Sequence, residues 1–144
     1  MDIRLDGKKA LVTGSSTGIG RAIALKFAES GADVVLHYYR FKEKAEETVN
    51  AIRKMGRKSI VLQADFGITE EITQLIEQTG EFFDAEVDIL VNNAGSMVAR
   101  QRLEEVDDDF IDQVFDLNAR SVVTACRAVL PFFTAQGGGC IINV

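Results

Sequence analysis

Thr13-Gly14-Ser15-Ser16-Thr17-Gly18-Ile19-Gly20 places three glycines at GxxxGxG spacing between an apolar run and Arg21, where a helical pattern begins. Glycines at a strand-to-helix turn let the backbone approach a pyrophosphate, while the first helical N–H groups and the helix dipole meet its negative charge. The competing reading is a tight turn whose glycines serve only close packing. Three further clusters stand after apolar runs or inside a helical stretch: Asp65-Phe66, Asn92-Asn93-Ala94-Gly95, and Asn118. Taken singly they read as a solvated turn carboxylate, a set of turn caps and an ordinary helix asparagine.

The segment His37-Tyr38-Tyr39-Arg40 decides which dinucleotide such a site would prefer. A carboxylate about 20 residues beyond the glycine loop usually binds the ribose 2′-OH of NAD. None stands here. Arg40 offers a planar guanidinium to a 2′-phosphate, Tyr38 lies beside it, and Ser15 and Ser16 add hydroxyl donors, so NADP(H) is the predicted cofactor. The alternative is that Arg40 is a solvated loop cation.

These positions need elements to hold them. Short runs rich in Val, Ile and Leu recur at 10–13, 34–36, 60–62, 89–91 and 141–144, and predict strands buried on both faces. Between them apolar residues repeat at helical spacing, as in Ala45, Val49, Ile52 and Gly56, or Ile68, Ile72, Leu75 and Ile76. The β-α-β alternation predicts an α/β, doubly wound parallel sheet with helices on both faces. Thr69 before Glu70 and Glu71 reads as a helix cap, and Gly31 and Gly56 stand where helices should stop. Asp107 is the expected cap of the longest helix, which runs past Asn118 towards Pro131, with Val106 placed to staple onto Ile111. Proline should kink or end it, and Gly137, Gly138 and Gly139 should turn the chain into the last strand.

Composition narrows the classes. With 144 residues, 47% hydrophobic and 26% charged, the chain predicts one domain with a core that needs no staple. Sixteen basic residues against twenty-two acidic give a net charge of −6, the wrong sign for a nucleic-acid binder. Cys126 and Cys140 form no CxxC and His37 is the only histidine, so neither a metal site nor a disulfide framework is expected, and a cytoplasmic setting fits. The start carries charges where a secretory leader would be apolar, and no run suggests a membrane partner.

The glycine loop, Asp65, Asn92-Asn93-Ala94-Gly95 and Asn118, in this order along the whole chain, closely resemble the motifs of the short-chain dehydrogenases/reductases. The resemblance implies a Rossmann-type sheet of order 3-2-1-4-5, with Thr13-Gly14 and Asn92–Gly95 flanking the point where the winding reverses. It implies that Gly14, Gly18 and Gly20 form the pyrophosphate loop, with Ile19 beside the diphosphate and nicotinamide. Asp65, with Phe66 beside it, would meet the adenine, and Asn92, Ala94 and Gly95 the adenosine ribose. Asn118 would be the proton-relay asparagine, holding a water through its backbone carbonyl.

Within the family the pattern is most like the 3-oxoacyl-(acyl-carrier-protein) reductases, although sugar and alcohol dehydrogenases share much of it. That implies an NADP(H)-dependent carbonyl reductase acting on a small carbonyl or acyl thioester substrate, a homo-oligomer in its complete form. The family's catalytic Ser and its Tyr-xxx-Lys would fall beyond Val144. Residues 1–144 are therefore expected to form one NADP-binding Rossmann domain, truncated after strand five and inactive alone. Tyr38-xxx-Lys42 would be a coincidence at the adenosine end. Apolar Val114, Phe115, Val122, Val129 and Phe132 on the long helix would be under-covered, with strand five an exposed edge. The alternative is a non-catalytic nucleotide-binding or interaction module.

Overall fold

The computed structural model describes residues 3–144. Five strands, β1 (Lys9–Val12), β2 (Asp33–Tyr38), β3 (Ser59–Gln63), β4 (Ile89–Asn92) and β5 (Cys140–Asn143), form one sheet of order β3-β2-β1-β4-β5. All four pairings are parallel, with Leu11 opposite Val35 on one side and Leu90 on the other. Helices α1 (Gly18–Glu29), α2 (Lys42–Lys54) and α3 (Thr69–Phe82) alternate with the first four strands. The β4–β5 connection holds a short 3-10 turn (Leu103–Glu105), then α4 (Asp108–Phe115), a π-helical turn (Asp116–Arg120) and α5 (Ser121–Ala135).

Because successive strand residues point to opposite faces, the central strands feed two cores. Leu11, Val35 and Leu90 pack with Leu75, Ile76, Ala125, Val129 and Phe133 of α3 and α5. Ala10, Val12, Val34 and Leu36 pack with Ala24, Ala28, Val49 and Ile52 of α1 and α2. Burial on both faces holds for β1, β2 and β4 but not for the edges: β3 is mostly half-buried and all four residues of β5 are exposed. An edge strand has one neighbour, and apolar content alone does not reveal which strand that will be.

Boundaries follow local chemistry. Gly31 and Gly56 take φ of +105° and +79° just past α1 and α2, the left-handed exit that a Cβ disfavours. Asp107 caps α4 through a 2.8 Å bond from Phe110 N–H. Thr69, expected as a cap, is already helical; Ile68 holds the extended cap position, because Asp65 closes the preceding turn by accepting from Gly67 N–H and Ile68 N–H. The helical path does run from Asp108 past Asn118, through the π turn, and Pro131 sits inside α5, one turn before its end.

Of the long-helix residues expected to be under-covered, Phe115 is 63% exposed, and Val114, Val122 and Phe132 are half-buried. Val129 is fully buried. On α5 the large apolar residues that face outward are Val123 and Leu130, because α5 turns the stripe through Ala125, Val129 and Phe133 onto α3 and the sheet.

Candidate cofactor site

The sheet changes winding direction between β1 and β4, and the loops leaving those strands are stitched together there. Thr13 Oγ1 accepts from Asn93 N–H and Ala94 N–H at 2.9 and 3.0 Å, and donates to Val91 O. Asn93 Nδ2 donates back to Thr13 O and Gly14 O, both at 3.0 Å. Two glycines are required by this crossing. A Cβ on Gly14, at φ +62°, would sit 2.9 Å from Ala94 Cα, and one on Gly20 would collide with Gly14 O and Asn93 Nδ2. Close packing thus accounts for both, whereas a Cβ on Gly18 would meet open space.

Among the described residues the start of α1 has no side-chain cap. Thr17 makes no side-chain cap and the first turn holds no acid, while α2, α3 and α4 each carry at least one. Arg21 N–H already bonds Thr17 O, so the amides of Gly18, Ile19 and Gly20 are the donors left without an acceptor among the described residues. An uncompensated helix N-terminus suits an anion.

Beside it lies a cavity of about 610 Å³. Gly14, Ser16 and Thr17 form one wall; Tyr39, Arg40 and Phe41, from the end of β2, close one end together with Asp65 and Phe66. Ala94, Gly95 and Ser96 continue it towards Asp116 and Leu117 on the long helical stretch. The size lies within the usual range for small-molecule sites. Arg40 lies over the Tyr39 ring, 5.0 Å from its centroid, so the guanidinium is held at the cavity's end. Asp65 has its oxygen on Gly67 N–H and its own N–H on Glu71 Oε2 at 2.6 Å.

Seven of the residues singled out in the sequence line this cavity: Gly14, Ser16, Arg40, Asp65, Phe66, Ala94 and Gly95. Others hold it together from behind. Ser15, expected as a donor to phosphate, is fully buried; its hydroxyl donates to Val12 O at 2.7 Å and accepts from His37 N–H. Its single proton is therefore used inside the protein. Tyr38 is 8% exposed and absent from the lining, where Tyr39 stands instead: Tyr38 is still paired in β2 opposite Gln63, and Tyr39 is the first residue past the strand. Thr13 is the stitch already described. Asn92 is buried, donating to Asn143 Oδ1 at 3.0 Å across the β4–β5 register, and its own Oδ1 lacks a partner among the described residues. Ile19 is 64% exposed at the start of α1. Asn118 lies at the middle of the π turn, and its side chain bonds Ser96 rather than pointing into the cavity.

Two residues quoted within those motifs but given no role of their own carry the site's geometry. Asn93 ties β1 to β4, and His37 bonds the glycine loop. The histidine is 2% exposed, and burial pushes its imidazole down from 6.5 to about 4, against the Ala64 carbonyl that favours the charged form. A lone histidine directly after the apolar run Val34–Leu36 was the available signal. Among the described residues no cluster of metal ligands occurs, and no helix is long and apolar enough to cross a membrane.

Residues 8–144 match the short chain dehydrogenase family. The chain is 39% identical over 141 residues to the 3-oxoacyl-[acyl-carrier-protein] reductase FabG of Staphylococcus epidermidis, covering 95% of this chain and 55% of that protein. A short chain dehydrogenase from Burkholderia cenocepacia, solved in complex with NADP, superposes with a TM-score of 0.85 at 40% identity over 89% of this chain and 51% of the other. An NADH-dependent reductase, A1-R′, complexed with NAD, superposes with a TM-score of 0.89 at 35% identity over 99% and 61%. The chain spans about half the length of the curated relatives it matches.

Proposed function

The chain belongs to the short-chain dehydrogenase family, and from that premise we propose that its cavity binds NADP(H) in preference to NAD(H), as the cofactor-binding part of a carbonyl reductase of the 3-oxoacyl thioester type. The observation that carries the reading is Arg40 at the end of a cavity whose β2 terminus holds no carboxylate. Arg40 would meet the 2′-phosphate, the free amides of Gly18, Ile19 and Gly20 the pyrophosphate, and Asp65 with Phe66 the adenine. Ala94, Gly95 and Ser96 would floor the remaining length, with the Asn118 backbone carbonyl holding a water in the path of the proton. A bound dihydronicotinamide supplies hydride to a carbonyl carbon.

Proton delivery needs an acid within hydrogen-bond reach of the carbonyl oxygen. At the end of the cavity formed by Ala94–Ser96, Gln113, Asp116 and Leu117 there is no tyrosine or lysine, and Asp116 is engaged by Arg120 at 2.6 Å. These 144 residues are therefore proposed to bind cofactor without turning substrate over. Fluorescence titration with NADPH and NADH tests the reading: tighter NADPH binding, reversed by Arg40→Asp, supports it, and tighter NADH binding by the parent chain overturns it.

A further inference from the structure

His37 takes no part in the chemistry above, yet both its ring nitrogens are bonded. Nδ1 accepts from Gly14 N–H at 2.9 Å, and Nε2 lies 3.0 Å from Ala64 O. A ring that accepts at Nδ1 and faces a carbonyl at Nε2 is the neutral tautomer with its proton on Nε2, donated to Ala64. Phe66 stacks on it with centroids 4.3 Å apart and planes at 28°. The two bonded partners belong to different walls of the cavity: Gly14 to the loop after β1, Ala64 to the turn after β3 that carries Asp65. β2 lies between β1 and β3 in the sheet, so one rigid ring spans the walls. The backbone adds to the link, with Ser15 N–H donating to His37 O at 2.9 Å and His37 N–H to Ser15 Oγ at 3.0 Å.

We propose that His37 is a positioning residue for the cofactor: it turns the Gly14 amide inward through Nδ1, leaving the amides of Gly18, Ile19 and Gly20 to meet the ligand, and sets the spacing between the glycine loop and the Asp65 turn. This rests on the reading of the cavity as a dinucleotide site. An aliphatic side chain at position 37 would leave the Gly14 N–H unpaired, and the loop would turn to satisfy it. The two nitrogens can be separated, because an asparagine keeps an acceptor near the Nδ1 position, a glutamine keeps a donor near Nε2, and a leucine keeps neither.

The test measures NADPH affinity by fluorescence and thermal midpoint for the parent chain, His37→Asn, His37→Gln and His37→Leu, together with amide exchange at Gly14 without nucleotide. His37→Asn should bind within about threefold of the parent, while His37→Gln and His37→Leu bind roughly tenfold more weakly, whatever the order of their midpoints. Gly14 should exchange slowly in the parent and His37→Asn, and faster in the other two. An affinity of His37→Asn as weak as those of His37→Gln and His37→Leu, or affinities that stay at the parent's value in all three variants, overturn the proposal. A parent chain that binds neither NADPH nor NADH instead overturns the reading of the cavity, and the Gly14 exchange then decides the clamp alone: equal protection in His37→Leu refutes it.

Discussion

The side chain of Asn118 clasps the backbone of Ser96 in both directions, its Oδ1 accepting from Ser96 N–H at 3.0 Å and its Nδ2 donating to Ser96 O at 2.8 Å. A further bond from Nδ2 to Val114 O anchors the clasp to α4. The loop after β4 is thereby fixed to the π turn, a local geometry frequent at functional sites. A Cβ on Gly95 would sit 2.7 Å from the same Oδ1, which explains the glycine there.

Asn118→Asp keeps the acceptor for Ser96 N–H but loses both donations, leaving a carboxylate against two carbonyls. It should cost about 1–2 kcal/mol and speed amide exchange at Ser96 and Val98 while leaving β1 and β2 protected. Hydrogen exchange read by mass spectrometry checks it; unchanged protection across residues 94–98 would show that the clasp is not what orders the loop.

The glycines of the loop should differ in tolerance. Gly14→Ala combines a positive φ with a collision against the Ala94 backbone, so a loss of about 2–3 kcal/mol or more is expected. Gly18→Ala meets open space and should cost about 1 kcal/mol from φ strain alone. Urea denaturation of both variants measures the difference, and equal losses would contradict the packing seen at Gly14.

Acid should destabilise the fold through His37. Its folded-state value, about 4, lies below the unfolded 6.5, so the unfolded chain takes up the proton first. The stabilisation from the neutral ring is complete above about pH 6.5, declines as pH falls, and is exhausted below about 4, a total of about 3 kcal/mol. Denaturation midpoints of the parent should fall across this window more steeply than those of His37→Asn. Parallel curves would remove His37 as the cause.

Turnover should be absent and Tyr38 irrelevant to it. NADPH oxidation by the purified chain with an acetoacetyl thioester should stay at background, and Tyr38→Phe should change nothing in that assay, since Tyr38 is buried at the end of β2, opposite Gln63 of β3, and does not line the cavity. Oxidation abolished by Tyr38→Phe would make the Tyr38-xxx-Lys42 pair functional after all.

Exposed Phe115, Val123 and Leu130 on the long helical stretch, with β5 open along one edge, should drive self-association. Sedimentation should show species heavier than a monomer in the parent chain and a shift towards monomer in Val123→Glu. A monomer at all concentrations would contradict this.

The α/β order and the strand positions were legible in the sequence because both depend on local signals: Val-, Ile- and Leu-rich runs report strands, though not that β3 and β5 are the less buried edges, and the spacing of Ala45, Val49 and Ile52 reports a helix. The glycine loop and Asn92–Gly95 could likewise be placed at strand ends, and the strand order 3-2-1-4-5 followed from family resemblance and is the order observed. What no local pattern contained was direction and partnership. Ser15 and Ser16 are equivalent as letters, but only Ser16 faces the cavity, because the hydroxyl of Ser15 is taken by Val12 and His37. Tyr38 and Tyr39 are equally alike, but Tyr38 is the last residue of β2, buried opposite Gln63, and Tyr39 is the first beyond it, 46% exposed. His37 and Asn93 gained their roles from residues 23 and 80 positions away, Gly14 and Thr13, which come within hydrogen-bond reach only when parallel strands align. Tertiary structure decided these, since a hydrogen bond is set by distance and angle in space and by what else each group must satisfy once water is excluded.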